Sequence, residues 1–316
     1  MKKLIAIALS AALLSGCTPQ QPTVVRLAAH DSFVMTDELV AQFEEETGYT
    51  LEIIRLGDTG SLTNQLVLTK NAPVADSVFG IDNTFRSVAD ENQIIDGDLV
   101  PIDYSDVCFN YDIAALEARG LPAPSSWRDL INAEYRGLTV ITDPALSSPG
   151  LAFLATTVAG FDDANEHKGF WSKLFANEVL VAGSWEDAYF TQFTRYGGNY
   201  PIVLSYASSP SAEVNEDGTP GTAALLDECF RQVEFAGVLS RAENKKGAKA
   251  LVEFLESDAF QATVAENMYV YPIADVAVPE TWGKFAPPAR SNIGSNLDFA
   301  NDRTSWLEDW QSVKVD

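Results

Sequence analysis

Apolar residues recur along this chain with two alternating periods, one typical of strands and one typical of helices. Short apolar runs bounded by polar or glycine residues predict strands at Val24–Ala29 and Leu51–Leu56. Between them, Thr36 is a helix-capping residue type, acidic residues follow it, and the apolar face that comes next ends at Gly48. The order strand, helix, strand is the beginning of an α/β pattern.

The same alternation continues to the end of the chain. Further strands are predicted at Asp76–Gly80, Val107–Tyr111, Leu138–Thr142, Ile202–Tyr206 and around Val233. Further helices are predicted at Ile113–Arg119, Leu151–Val158, Lys245–Leu255, Ser257–Glu266 and Asp302–Gln311, with others beginning near Ser61, Ser126 and Ser184. In the last helix, Trp306, Leu307 and Trp310 share one face, and we expect this stripe to pack against the first part of the fold.

The first residues have the pattern of a targeting segment. Lys2 and Lys3 precede an apolar run that is too short to cross a bilayer, and Leu-Ser-Gly-Cys follows, ending at Cys17. This arrangement resembles the lipobox of bacterial lipoproteins. It predicts a signal peptide over residues 1–16, lipidation of Cys17, and a polar tether over residues 17–23. Ordinary secretion with an incidental cysteine is the alternative.

Charge limits the classes of partner. The 316 residues include 45 acidic and 21 basic ones, a formal net charge of -24. Phosphate backbones require clustered Lys and Arg, so nucleic-acid binding is not expected. A neutral or cationic partner is favoured.

Cys108 and Cys229 both lie in strand-like runs of a chain bound for an oxidising compartment. A disulfide between adjacent strands and two buried free thiols are both compatible with this pattern. The sequence has no CxxC spacing and only two histidines, His30 and His167, so we expect no metal site.

Motifs of enzymes are missing from the sequence. It contains no GxSxG, GxxxxGK, GxGxxG or HExxH pattern. The adjacent residues His30, Asp31 and Ser32 do not make a triad, because neighbours on a strand point to opposite faces. We therefore expect a protein that is not an enzyme and has no cofactor.

Polar residues that follow strands are the candidate ligand contacts. Two Ser-Ser-Pro segments each follow a strand, and Pro149 suits the first turn of a helix, where backbone N–H groups bind anions. Plain helix capping is the simpler interpretation of these serines. Asp58 and Thr59 also follow a strand, where open α/β sheets bind ligands, although a turn aspartate is equally compatible.

Three aromatic residues, Trp185, Tyr206 and Tyr269, lie at the ends of elements or in loops rather than within an apolar helical stripe. Such positions can expose rings to a cleft, where they stack on a flat or cationic ligand. Burial in a core is the alternative for each.

Seven segments occur here in one order and together carry a family resemblance. They are Ala29–Phe33, Gly57–Leu62, Gly80–Asn83, Asp143–Leu151, Gly183–Tyr189, Leu204–Pro210 and Met268–Pro272. The series resembles the thiamine-binding solute-binding proteins of ABC transporters. The resemblance implies an α/β fold of the type II periplasmic-binding-protein class. In that fold two lobes are joined by two crossings and close on a ligand. The lobes would be residues 24–104 with 235–316, and residues 105–234.

The resemblance also implies roles for single residues. Asp58 and Thr59 would contact the aminopyrimidine of the ligand, and Trp185, Tyr206 and Tyr269 would form the stacking walls. Polar contacts, including those to a phosphate, would come from Ser147, Ser148, Ala207, Ser208, Ser209 and Pro210. Two positions depart from the family pattern: His30 stands where a tyrosine is frequent, and Tyr269 where a tryptophan is common.

The function implied is that of a receptor outside the cytoplasm. It would be a lipid-anchored monomer, in the periplasm or on the outer face of the cell membrane. It would bind thiamine, thiamine monophosphate or thiamine diphosphate and deliver it to an ABC permease and its ATPase. A receptor of the same fold for a polyamine or iron(III) is the first alternative, and a secreted hydrolase is the second.

Overall fold

The computed structural model describes residues 23–314 and shows a mixed α/β fold built around one long, curled sheet. The predicted signal peptide, Cys17 and nearly all of the tether lie outside the described residues. Within residues 23–314, no helix is long and apolar enough to cross a membrane.

The strands that the structure describes form a sheet in the order β2-β1-β3-β9-β4-β7-β5-β6, with β8 and β10 also paired to β4. Their bounds are β1 Val24–Ala29, β2 Thr50–Arg55, β3 Ser77–Asp82, β4 Val100–Asp112, β5 Thr139–Thr142, β6 Leu180–Ala182, β7 Ile202–Tyr206, β8 Thr222–Ala224, β9 Phe230–Val238 and β10 Tyr271–Pro272. The outer strands pair in parallel, whereas β4 and β9 pair antiparallel with their neighbours.

The α-helices cover both faces of this sheet. Their bounds are α1 Asp37–Thr47, α2 Thr59–Leu68, α3 Arg86–Glu91, α4 Ile113–Ala118, α5 Ser148–Ala159, α6 Ala164–Ala176, α7 Lys245–Leu255, α8 Asp258–Met268, α9 Trp282–Phe285 and α10 Phe299–Val313. The cap predicted for α1 is confirmed, because Thr36 Oγ1 accepts from the backbone N–H of Leu39 at 3.4 Å. Gly48 ends this helix with a φ of 73°, a left-handed conformation that favours glycine.

Two predictions of local structure were incomplete. The helix expected from Ser126 is a short 3₁₀ segment over Trp127–Ile131, and the segment after Trp185 forms a π-helical turn over Asp187–Gln192. Helix α6 was missed because its first turns are polar and Gly169 interrupts them, which obscures the apolar period.

Strands β4 and β9 join two halves of the fold. The first part of β4 pairs with β9, and its second part pairs with β7 and β8. On one side lie β1, β2 and β3, and on the other lie β5, β6 and β7. The chain therefore crosses between the halves along two long, mutually paired strands, and this arrangement is the one that the resemblance implies.

Alternation along β1 shows how the sequence builds the first half. Val25 and Leu27 pack with α1, α7 and α8 on one face of the sheet, whereas Ala28 packs with α2 on the other. The second half has its own core around α5, whose residues from Ser148 to Thr157 are all buried.

Helix α10 corrects one expectation. Trp306 and Trp310 do form a buried stripe, but it lies mainly in the core of the second half with Trp171 and Phe153, and the first half reaches the same cluster only through Phe85 and α3. The ring centroids of Trp171 and Trp310 are 6.1 Å apart in an edge-to-face arrangement. Helical spacing predicted the buried face but contained no information about its partner.

The structure has a disulfide rather than two free thiols at Cys108 and Cys229. Cys108 on β4 and Cys229, next to the start of β9, form a disulfide with their Cα atoms 5.0 Å apart. This bond links the two crossing strands within the small buried cluster that contains Ala207.

Candidate ligand-binding site

A cavity lies between the two halves, where strands β1, β7 and β9 meet the beginnings of α2 and α5. Its volume is about 40 Å³ in this closed arrangement of the two halves. Its lining residues are His30, Ser32, Asp58, Thr59, Ser148, Trp185, Tyr206, Glu234, Met268 and Val270. The crevice beyond the carboxyl ends of sheet strands is where open α/β folds bind ligands.

Asp58 is held in place from both halves of the fold. Its Oδ1 accepts from the backbone N–H of Thr59 at 2.7 Å, and its Oδ2 accepts from the backbone N–H of Trp185 at 2.9 Å. Burial raises the pKa of Asp58, although hydrogen bonds from Trp185, Ser147 and Thr59 oppose that shift. The carboxylate therefore lines the cavity and links the halves at the same time.

The backbone at the start of α2 touches the opposite half directly. Ser61 N–H donates to the carbonyl of Leu146 at 3.2 Å. A Cβ on Gly60 would lie 2.7 Å from the carbonyl oxygen of Leu146 and 2.8 Å from that of Ala145. Only glycine permits this close approach, so the structure shows the two halves closed against each other.

Trp185 and Tyr206 form an aromatic wall of the cavity. Trp185 stacks on Tyr189 with ring centroids 5.0 Å apart and lies 5.8 Å from Tyr206. The indole Nε1–H donates to Ser205 Oγ at 2.9 Å, and Tyr206 N–H donates to Ser209 Oγ at 3.2 Å. These bonds hold the wall in position before any ligand enters.

The two serines at the start of α5 have different surroundings. Ser147 is buried, and its hydroxyl lies 2.9 Å from Thr142 Oγ1 and within hydrogen-bonding reach of Asp58. Ser148 lines the cavity, and its Oγ accepts from Gln232 Nε2 at 3.2 Å. The beginning of this helix, an end that favours anions, therefore faces the cavity through Ser148.

Other candidates from the sequence lie elsewhere. Ala207 and Pro210 line a second cavity beside Phe285, and the buried Ser208 hydroxyl lies 3.2 Å from that of Ser105. Ser209 supports the aromatic wall from behind, with its hydroxyl 2.8 Å from that of Ser205.

Tyr269 does not line the cavity, although the residues on either side of it do. It follows α8 with a φ of 56°, and 43% of its surface is exposed. Burial raises the pKa of Tyr196 and Tyr269 adds to that shift, so Tyr269 lies near this residue of the second half. Its role as a stacking wall stays a prediction.

Two ionisable residues of the cavity, His30 and Glu234, form a pair that the sequence did not predict. His30 Nε2 lies 3.2 Å from Glu234 Oε1, and both side chains are largely buried. Burial lowers the pKa of His30, but the charge and hydrogen bond of Glu234 outweigh it, so the pKa is raised overall. A glutamate between Val233 and Phe235, just before the buried apolar end of the strand, was the available signal.

Sequence and structural similarity to known proteins agrees with this arrangement. The chain is 28% identical over 288 residues to the thiamine-binding periplasmic protein of Salmonella typhimurium, covering 85% of each protein. It is 27% identical to the thiamine-binding periplasmic protein of Escherichia coli over the same shares. A solved structure of a periplasmic thiamin binding protein superposes with a TM-score of 0.77 at 26% identity, covering 93% of this chain and 96% of that one.

More distant structures share the fold alone. Iron-bound HitA from Pseudomonas aeruginosa superposes with a TM-score of 0.69 at 15% identity, covering 93% of this chain and all of the other. The two-lobed fold of periplasmic binding proteins is thereby confirmed. The family model described as bacterial extracellular solute-binding protein matches residues 73–291. The chain therefore belongs to the bacterial extracellular solute-binding proteins, so it is a binding protein rather than an enzyme and acts outside the cytoplasm.

Proposed function

We propose that this protein binds thiamine, free or phosphorylated, in the cavity between its halves and delivers it to an ABC permease and its ATPase. The observation that carries the proposal is the convergence of Trp185 and Tyr206 with the carboxylates of Asp58 and Glu234 in one cavity. That set of groups suits a ligand that is both aromatic and cationic.

The thiazolium ring is the cationic part of thiamine. An aromatic face attracts a cation with about 0.5–1 kcal/mol at an exposed site and about 2 kcal/mol when the pair is desolvated. The Trp185 ring is partly buried and pinned by its bond to Ser205, so it offers a rigid face at little entropic cost. Glu234 adds a nearby negative charge.

The aminopyrimidine ring needs an acceptor for its exocyclic amine. Asp58 retains acceptor capacity, because a carboxylate has about four lone-pair sites and its bonds from Thr59 and Trp185 use only part of them. The role implied for Asp58 by the resemblance is compatible with its second role, in which it links the halves.

A phosphate on the ligand has one candidate position. Ser148 at the first turn of α5 faces the cavity and can donate its hydroxyl. This supports acceptance of thiamine monophosphate and diphosphate. Relatives at 24–28% identity are named thiamine-binding periplasmic proteins, which supports thiamine itself as the ligand.

Delivery requires opening and closing of the cleft and a position near the permease. We place the moving lobes at residues 24–104 with 235–316 and at residues 105–234, except that α10 travels with the second lobe, on which it packs. Lipidation of Cys17 after removal of residues 1–16 would tether a monomer to the membrane, with residues 17–23 as the spacer. Binding of this kind needs no cofactor.

Iron and polyamines are the competing ligands of this fold. Among the described residues that line the cavity, Tyr206 is the only tyrosine, and Ala207 follows it, whereas iron receptors tend to use adjacent tyrosines. The described residues also contain no group of His, Cys, Asp and Glu side chains suited to hold a metal. The carboxylates around the cavity keep a polyamine as the second candidate.

Titration calorimetry of the purified protein with thiamine, thiamine diphosphate, spermidine and ferric citrate tests the proposal. Tight, saturable binding of thiamine with one site per chain is the expected result. Binding of spermidine or ferric citrate without binding of thiamine would overturn the assignment of the aromatic wall to a thiazolium.

A further inference from the structure

Three carboxyl groups form a row beneath the candidate cavity. Strand β9 lies between β3 and β4, and Glu234 is directly opposite Asp82 on one side and Asp103 on the other. Directly opposite residues of antiparallel strands point to the same face of the sheet. Asp82, Asp103 and Glu234 are 0%, 1% and 9% exposed, so three acidic side chains are buried side by side.

The acid row, formed by Asp82, Asp103 and Glu234, has too few hydrogen-bond donors around it for three ionised carboxylates. Asp82 Oδ1 accepts from Thr84 and from the backbone N–H of Phe85, but its Oδ2 has no hydrogen-bond donor among the described residues. Neither oxygen of Asp103 has one, although its carboxyl lies within hydrogen-bonding reach of that of Glu234. Two carboxyls bond to each other only when one is protonated, so this geometry favours a proton held between Asp103 and Glu234.

Few positively charged groups lie near the acid row. His30 Nε2 is 3.2 Å from Glu234, and His30 also feels the charges of Asp58 and Asp31. The hydroxyl of Tyr206 faces the row from β7. Arg303 of α10 approaches Asp82, and although burial lowers the pKa of this guanidinium, it stays positively charged near neutral pH. Among the described residues, His30, Tyr206 and Arg303 thus lie near the row, with Asp58 and Asp31 near His30 and Glu91 near Arg303.

We propose that the acid row makes the cavity selective for cations and couples their binding to proton release. When a cationic ligand settles beside Glu234, the O–H bond of the Asp103–Glu234 pair breaks and the proton passes to solvent. The ligand then supplies the positive charge that the row lacks. This inference rests on the proposed function only for the identity of the cation, which is thiamine.

The direction of the titrations agrees with this geometry. Burial, together with the charge of Glu234, raises the pKa of Asp103 well above its usual range, and burial raises the pKa of Asp82 to about 7. The ligand-free protein therefore carries protons on the row near neutral pH. Because a bound cation favours the ionised row, affinity for thiamine should rise with pH and level off once the free protein has lost the proton.

Calorimetry in two buffers measures the protons directly. Thiamine is titrated into the protein at pH 7 in PIPES and in TES, which differ in ionisation enthalpy, and the difference in observed heat gives the number of protons released. We expect release of a measurable fraction of a proton per thiamine. For one coupled proton, affinity rises by at most about tenfold per pH unit between pH 6 and 8.

Three variants test whether the proton comes from the row. Asp103→Asn and Glu234→Gln should each abolish the proton release and flatten the pH dependence of affinity. Asp98→Asn, at an exposed position just before β4, should behave as the parent protein. Circular dichroism and thermal unfolding show whether each variant is folded. If either Asp103→Asn or Glu234→Gln fails to fold, the other one still provides the test.

The outcomes separate the two proposals. Thiamine binding without proton release, or with undiminished release in Asp103→Asn, would overturn the acid-row inference while leaving the proposed function intact. Failure of thiamine to bind would overturn the proposed function, and the same titrations with spermidine would then test the row. If neither thiamine nor spermidine bound, the proposed selectivity of the cavity for cations would also be overturned.

Discussion

The backbone N–H of Trp185 donates a 2.9 Å hydrogen bond to Oδ2 of Asp58, 127 positions earlier in the chain. Asp58 begins α2 in the first half of the fold, whereas Trp185 precedes the π-helical turn of the second half. One bond therefore joins the halves across the candidate cavity, between a residue that accepts hydrogen bonds and a residue that forms the aromatic wall. Closure of the fold and formation of the site depend on the same contact.

Replacing Asp58 with Asn should weaken thiamine binding. The substitution keeps one oxygen acceptor but removes the charge and one of the acceptors that serve Thr59 and Trp185. Loss of a hydrogen bond to a charged group costs about 1.5–3 kcal/mol, or roughly 10- to 150-fold in affinity. Titration calorimetry measures the change. Asp37→Asn, at an exposed position in the first turn of α1, is the matched control. Equal affinities of the two variants would refute the role of Asp58.

Truncation of Trp185 to Ala should weaken thiamine binding by more than about 1 kcal/mol, since it removes a cation–π contact and buried area. Trp185→Phe keeps a ring but loses the bond from Nε1 to Ser205. It should therefore fall between the parent protein and the Ala variant in calorimetric affinity. If the Ala variant bound thiamine as tightly as the parent protein, Trp185 would not be a stacking wall.

A methyl group at position 60 should hinder closure. The Cβ of Gly60→Ala would meet the Leu146 carbonyl at 2.7 Å, whereas Ala is otherwise the better helix former. We expect thiamine affinity at least tenfold weaker and a larger radius of gyration with thiamine present, measured by small-angle X-ray scattering. Gly169→Ala, within α6 with open space around its Cβ, should change neither quantity. An unaltered affinity in Gly60→Ala would show that the contact at Leu146 is dispensable.

The acid row predicts a dependence of stability on pH. Burial raises the pKa of Asp82 to about 7 in the folded protein. The contribution of Asp82 to the free energy of unfolding is therefore complete below the pKa that it has in the unfolded chain, and it is lost as pH rises towards 7. Asp82→Asn keeps an oxygen to accept from Thr84 and Phe85 and removes the charge. We expect Asp82→Asn to have a larger free energy of unfolding than the parent protein. This advantage should be greater at pH 8 than at pH 5 by an amount on the order of 2–3 kcal/mol.

Denaturant unfolding at the two pH values measures this difference. The exposed Asp98→Asn serves as the control and should show the same small effect at both. A gain that is equal at pH 5 and pH 8 for Asp82→Asn would mean that Asp82 is ionised in the folded protein throughout this range.

The sequence predicted helices and strands correctly where a regular pattern of apolar residues ended at a clear capping or turn residue. The helix capped by Thr36 and closed by Gly48, and the buried strand at Ile202–Tyr206, are both present as predicted. Their signals are contained within a dozen residues, so no distant partner is needed to interpret them.

The composition of the site followed less completely. Asp58, Thr59, Ser148, Trp185 and Tyr206 do meet in one cavity. By contrast, Ala207 and Pro210 line a different one, because the chain turns away after β7 into a 3₁₀ segment over Ser209–Ala212. A contiguous motif indicates which residues travel together, but the turn decides which of them face the ligand.

The sequence by itself determined the alternation of strands and helices, the buried face of α10, and the family to which the chain belongs. Tertiary structure alone decided the partner of that helix, the bond from Trp185 to Asp58, and the row of Asp82, Glu234 and Asp103. The reason is physical: residues separated by up to about 150 positions meet only through strand register and the closure of two halves. Neither of these leaves a periodic trace in the local sequence.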